Sequence, residues 1–305
     1  MQGKKMLRVL ALMCALLVMM CASALAATNW EDSYVEVEGT GVTSMNARNA
    51  GQAQMLARRA AIVDAYRQLA EQVAGVQVDS ETTVEDMSVS SDIVKTRVSA
   101  LVQGATIVKE GIINNGQGYA VTMRVNMYGV TKSVASAVLP ENTVKQSFPA
   151  PVAGVAPSVP QDTNVHINVT IGQNGNAGTG YTSQAQGSSA AAAPTGQAIG
   201  GYTGLIVDCS GLGLKPAMSP VIKNDQGQAI YGYKNLDYDK VVENGMAGYT
   251  TDISRASRAG SHPLVVKAVR IDGANPVLST ADANRVLIEN GATGFLDATN
   301  VVFVR

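Results

Sequence analysis

From Asn49 to Gly75 the chain reads NAGQAQMLARRAAIVDAYRQLAEQVAG, with apolar residues at Met55, Ile62, Tyr66, Leu69 and Val73. Recurrence at near-helical intervals predicts a long amphipathic helix, with Arg58, Arg59, Asp64, Arg67, Gln68 and Glu71 outside and a left-handed cap at Gly75. Tyr34 to Glu38 alternates ahead of it, which predicts a strand burying Val35 and Val37 and turning out through Gly39-Thr40-Gly41-Val42. Beyond the helix, Val76, Val78, Ser80, Thr82 and Val84 alternate with polar residues and predict a second strand. Ser90 and Ser91 can cap a second helix, with Val94, Val98, Leu101 and Val102 inward and Gly104 at its end. An extended run from Thr106 to Ile113 then meets a turn at Asn114–Gly118. In the strand that follows, Tyr119, Val121, Met123, Val125 and Met127 share one face, the strictest period-two signal in the chain. The predicted order is β-α-β-α-β-β, a helix-on-sheet domain over residues 27–132 with its helices on one face of an antiparallel or mixed sheet.

The pattern breaks near Ser133. Pro140, Pro149, Pro151, Pro157 and Pro160 fall among Ala, Val and Ser, so residues 133–201 read as an extended Pro/Ala/Gly/Ser-rich linker. Inside it Val165, Ile167, Val169 and Ile171 alternate with His166, Asn168 and Thr170. A lone strand is unstable, so residues 165–171 are expected to add to a sheet edge in this molecule or a neighbour. Residues 172–201 return to low complexity. A second domain, 202–305, is predicted as a small α/β or α+β unit. Its strands are Leu205–Asp208, Ser219–Lys223, Gln228–Gly232 after an Asn224–Gly227 turn, Leu264–Arg270 and Val301–Arg305. Ser279 is expected to cap a helix carrying Ala283, Val286, Leu287 and Asn290 and ending at Gly291. The whole chain is therefore read as α+β.

Residues 1–26 change the compartment. MQGKKMLR, an apolar run from Val9 to Ala22 and Ala24-Leu25-Ala26 form the three parts of a secretory signal peptide, with cleavage expected after Ala26 and an uncleaved anchor as the alternative. Cys14 and Cys21 lie within it, but Met13 and Met20 stand where a lipidation signal wants a small residue. Loss of the leader removes Lys4, Lys5 and Arg8 and no acid, taking the net charge from −1 to −4. A mildly acidic chain argues against nucleic-acid binding. Cys209 is then the one remaining cysteine, so no internal disulfide can form.

Candidate chemistry is sparse. Gly39-Thr40-Gly41 stands between strand and helix, yet Ser44 replaces the third glycine of a dinucleotide fingerprint, and a turn fits better. Gly211-Leu212-Gly213-Leu214-Lys215-Pro216 lacks the spacing and hydroxyl of a phosphate loop. With two histidines, His166 and His262, the mature chain offers no dedicated zinc set, and its carboxylates lack calcium-loop spacing. Cys209 beside Asp208 could act with His262 as a nucleophile, against the plainer reading of a buried small residue after a strand. Tyr231, Tyr233 and Tyr238, near Asp237 and Asp239, suggest a contact surface on a solvated loop.

The segments GTGV, ARRAAIVDAYRQLAEQVAGVQVDSET, VQGATIVKE and YAVTMRVNMYG together resemble the LPP-twenty-like lipoprotein family over about residues 34 to 129. That family includes the N-terminal region of flagellar assembly protein T and the flagellar outer-membrane lipoprotein P. The resemblance implies a self-associating helix-on-sheet domain of the envelope, frequently tied to the outer-membrane parts of the flagellar motor, with no catalytic residue to carry over. The opening of the second domain, GLIVDCSGLGLKPAMSPVI, resembles a C-terminal module of bacterial envelope proteins that also carry the first domain. The expectation is a non-enzymatic, exported structural or assembly protein of the periplasm or outer membrane. It is expected to form homo-oligomers and to contact envelope or flagellar basal-body proteins, without cofactor or metal, its membrane association left open. Val165, Ile167, Val169, Ile171, Tyr231, Tyr233 and Tyr238 are its candidate partner contacts. The alternative is a periplasmic enzyme using Asp208 and Cys209.

Overall fold

The structure, a computed structural model, describes residues 27–141, 144–160 and 197–305. The signal peptide and the strand expected at 165–171 lie outside these residues. An antiparallel sheet organises the N-terminal layer: β1 (Ala27–Asn29), β2 (Tyr34–Val42), β3 (Thr106–Ile113) and β4 (Gly118–Asn126), in the order β1-β2-β4-β3. The expected turn at Gly39–Val42 is instead the second half of β2, paired with β4 to Val42↔Gly118.

Helix α1 (Ala50–Ala74) crosses this sheet, its N-terminus capped by Asn49, whose side chain accepts from Gln52 N. Its buried line is Ala57, Ala61, Ala65, Leu69 and Val73, whereas Met55 is 65% exposed. The sequence pattern therefore placed the lower half of the face correctly and the upper half wrongly. Small residues face each other at the upper crossing. A Cβ built on Gly39 would stand 2.3 Å from Ala61 O, and one on Gly41 2.1 Å from Ala57 O. The helix backbone rests on the strand backbone, and Thr40 N donates to Asp64 Oδ2 at 3.0 Å across the gap. Gly75 closes the helix in the right-handed region, at φ −78°, rather than the left-handed one.

The strand expected from Val76 to Val84 does not form. Asp79 Oδ1 accepts from both Glu81 N and Thr82 N, which closes a tight loop with a single bridge between Gln77 and Thr83. Thr83 and Asp86 then form a reciprocal capping box that starts α2 (Val84–Ser90), followed by α3 (Asp92–Gln103) capped by Ser91. The N-terminal order is thus β-β-α-α-α-β-β.

The linker reading also fails where the chain is described. α4 (Val134–Val138) buries Val134, Ala135 and Val138 in the common core. Residues 144–160 then lie along the second domain, with Gln146 N donating to Lys234 O and Ser158 N to Ala281 O.

The second domain holds two sheets of four strands. One is parallel, in the order β8 (Gly248–Thr250), β12 (Val301–Val304), β5 (Gly204–Asp208), β9 (Pro263–Lys267). The other is mixed, in the order β10 (Arg270–Asp272), β11 (Asn275–Leu278), β6 (Ile222–Asn224), β7 (Ala229–Tyr231). The single strand expected at Leu264–Arg270 splits: Ala268 N still bonds Asp208 O in the first sheet, while Val269 N bonds Val277 O in the second. α5 (Tyr238–Asn244) and α6 (Thr280–Thr293) complete the domain, and α6 passes Gly291 to end at Gly294, left-handed at φ 71°. One hydrophobic cluster runs from Val35 and Leu69 through Tyr128 and Val134 to Val207 and Phe303.

Candidate functional site

The pair proposed for nucleophilic chemistry is not assembled. Cys209 is fully buried, and its thiol lies 3.7 Å from Val207 O as donor. Burial, aided by the Asp208 charge, pushes the thiol up to about 12, so the thiolate is scarce at neutral pH. Asp208 accepts from Ser210 N at 2.9 Å, and the bonds from Ser210 hold its carboxyl below the ordinary value. His262 lies at the other end of the strands. β5 and β9 pair from Gly204↔Pro263 to Asp208↔Lys267, so His262 precedes one end of the ladder and Cys209 follows the other. Five paired residues lie between them, and the six residue steps from the level of His262 to Cys209 span roughly 20 Å. The His262 ring stacks on Tyr202 instead, with centroids 5.0 Å apart.

The tyrosine surface is also corrected. Tyr231 is fully buried: its hydroxyl donates to Met246 O at 2.6 Å and its ring stacks on Phe148. Tyr233 donates to Pro140 O, and burial pushes its phenol up to about 12. Tyr238 is half-buried against the core at the start of α5. Tyr231 and Tyr233 therefore hold Phe148 and Pro140 against the second domain, while Val165, Ile167, Val169 and Ile171 lie outside the described residues.

Two arrangements that sequence reasoning missed do the assembling. One is a seam between the domains. Met218 N and Ser219 N donate to Gln77 O and Val78 O at 3.0 and 2.7 Å, and Asn275 Nδ2 donates to Ser80 Oγ. The loop closed by Asp79 thus presents its carbonyls to the second domain. Nearby, Gly129 N donates to Val242 O at 2.7 Å. Glu31 accepts from Thr250 Oγ1 and Arg255 Nη1, both at 2.9 Å, and Trp30 meets Tyr249 edge to face at 5.6 Å. Arg258 donates to Asn244 O, Gly245 O, Thr299 O and Thr299 Oγ1, tying the loop after α5 to the loop before β12.

The other is the polar side of α6. Asn284, Arg285 and Glu289 are almost wholly buried, on positions where a core-facing helix would carry aliphatic residues. Asn284 accepts from Val152 N at 2.7 Å and donates to Val152 O and Val155 O at 3.0 and 2.8 Å. Arg285 Nε donates to Ser158 O at 2.7 Å, and its Nη1 reaches Gln197 O and Glu289 Oε1. The Glu289 carboxylate accepts from Ile199 N at 2.8 Å and Gly200 N at 2.9 Å. Irregular backbone has no ladder to satisfy its polar groups, and these three side chains supply the partners. The spacing of Arg285 and Glu289, one helical turn apart, was the available signal.

Among the described residues no group of three or more His, Cys, Asp or Glu could hold a metal ion, and no helix is long and apolar enough to cross a membrane. The exposed apolar side chains include Ile107, Val108 and Ile112 on β3, the terminal strand of its sheet.

Residues 32–123 match the LPP20 lipoprotein family, which covers β2, α1 to α3, β3 and most of β4. Residues 204–305 match the second domain of Treponema pallidum Tp0624, covering β5 to β12. No curated protein matches the chain. The first match bears out the LPP20-like reading of the N-terminal domain and relates it to lipoproteins of the cell envelope.

Proposed function

We propose that this chain, an LPP20-like domain fused to a Tp0624-like domain, is an exported structural or assembly component of the bacterial cell envelope that works by association rather than catalysis. The match of residues 32–123 to an envelope lipoprotein family carries the reading. The burial of Cys209 and its separation from His262 weigh against the rival reading of a periplasmic enzyme. Self-association is the mode we favour, because β3 leaves Ile107, Val108 and Ile112 exposed on a terminal strand, the kind of edge that invites pairing. Its partners would be further copies and envelope proteins, those of the flagellar basal body among them, at the periplasmic face of the outer membrane.

Fractionation of the source bacterium, with mass spectrometry of the mature N-terminus, tests the placement. The protein should travel with the periplasm or outer membrane and begin at Ala27; recovery from the cytoplasm with the leader intact would end the proposal. The enzymatic alternative has its own check. A maleimide probe should leave Cys209 unlabelled in the native protein at pH 7 and label it in urea, whereas rapid native labelling would restore a reactive thiol.

A further inference from the structure

One end of the N-terminal sheet exposes large apolar side chains. Val42 closes β2 opposite Gly118 and is 80% exposed. Met45, in the loop that follows, is fully exposed, and Met55 in the second turn of α1 is largely so. Hydrogen bonds gather these residues onto one tip. Thr43 N and Oγ1 both donate to Gln117 O, at 2.9 and 3.0 Å, and Gln54 Nε2 donates to Gly116 O at 2.6 Å. The β2–α1 loop and the start of α1 thus close on the turn between β3 and β4. The seam lies at the other end of the sheet, with Glu31 in the turn between β1 and β2, Gln77 to Ser80 after α1, and Gly129 after β4. Roughly 27 Å of β2 separates the two ends, so the second domain leaves the tip bare.

Charge separates along the same axis. Residues 39–63 hold Arg48, Arg58 and Arg59 and no acid, and residues 111–120 hold no charge, in a chain whose formal net charge is −1. Arg58 is taken by Glu110 at 2.8 Å, which leaves Arg48 and Arg59 exposed and without an acidic partner among the described residues. Arg59 stands one turn from Met55 on the same face of α1. An isologous contact between two copies through this tip would set like charges against each other, whereas an anionic surface complements them. We propose that the tip binds the surface of a bilayer with anionic headgroups: Val42, Met45 and Met55 enter the interfacial layer, and Arg48 and Arg59 meet lipid phosphates. Methionine suits that place, because its unbranched side chain adapts to irregular apolar surroundings. Apolar burial and attraction to anionic lipid add in such contacts and leave them reversible. This surface goes beyond the assembly reading and makes no use of the β3 edge, whose pairing needs no lipid.

Sedimentation of the full mature chain with vesicles tests this. Phosphatidylcholine vesicles containing about one third phosphatidylglycerol should bind the protein at least about tenfold more strongly than phosphatidylcholine alone, and about 0.5 M salt should remove most of that difference. The double variants Met45→Gln/Met55→Gln and Arg48→Gln/Arg59→Gln should each lower the partition coefficient at least about fivefold and leave the melting temperature unchanged. An environment-sensitive dye on Met45→Cys should shift to the blue on the anionic vesicles. The same dye on Val130→Cys, exposed beyond the opposite end of β4, should not. Equal binding to both kinds of vesicle, or to neither, would overturn the proposal. So would variants that bind as the parent does, or a dye shift that needs no lipid and grows with protein concentration, which would assign the tip to a second copy.

Discussion

Gly39→Val is expected to destabilise the protein by at least about 3 kcal/mol, a large share of the roughly 5–15 kcal/mol that holds a domain together. The new Cβ alone would lie 2.3 Å from Ala61 O and Ala65 N and 2.7 Å from Ala65 Cα. Those are backbone atoms of α1, so no rotamer change relieves the clash and the helix must lift from the sheet. Lifting it would open contacts along Ala57, Ala61 and Ala65, all fully buried, and break the bond from Thr40 N to Asp64. Gly111→Ala provides the control, since nothing lies within 4 Å of a Cβ there. That change should shift stability by no more than about 1 kcal/mol and in the favourable direction, through the unfolded chain. Urea unfolding followed by the fluorescence of Trp30, the one tryptophan, reads both. Equal midpoints for the two variants would refute the close approach.

Glu289→Ala should cost about 3–5 kcal/mol, the range found when one member of a buried ion pair is removed. Arg285 would keep a guanidinium that is 1% exposed and has lost its counter-ion, and Ile199 N and Gly200 N would lose their acceptor. The pair Arg67 and Glu71 has the same spacing on an exposed surface. Glu71→Ala should therefore change stability by less than about 1 kcal/mol, and a loss at Glu289 as small as that at Glu71 would show that α6 does not hold the connector.

Local pattern carried some elements and not others, for identifiable reasons. β4 was legible because its core face alternates without interruption from Tyr119 to Met127. The lower half of α1 was legible because Leu69 and Val73 recur at helical spacing, whereas its cap at Asn49 came only with the structure. The upper half of the α1 face was not, since apolar bulk points to Met55 while the contact there is made by alanines resting on glycines of a strand. Val76 to Val84 alternates like a strand, yet the side chains of Asp79, Thr83 and Asp86 bond their own backbone first. The connector reads as spacer because its composition is that of a spacer, and what fixes it stands far along the chain, at Asn284, Arg285 and Glu289. Tyr231 sits among polar neighbours in sequence and beneath Phe148 in space. The burial of Cys209 was legible as a preference of free cysteines for the interior; the seam was not, because carbonyls of a loop carry no pattern at all.

The seam has a thermodynamic consequence. The two matched regions end at Asp32 and Met123 on one side and at Gly204 and Arg305 on the other, but the hydrophobic cluster and the hydrogen bonds from Met218 and Ser219 cross between them. Such units do not melt as independent beads. Heat absorption should collapse into a single calorimetric transition in which each domain lends its stability to the other. By linkage, a partner that grips the Tp0624-like half would then protect the LPP20-like half from unfolding without touching it.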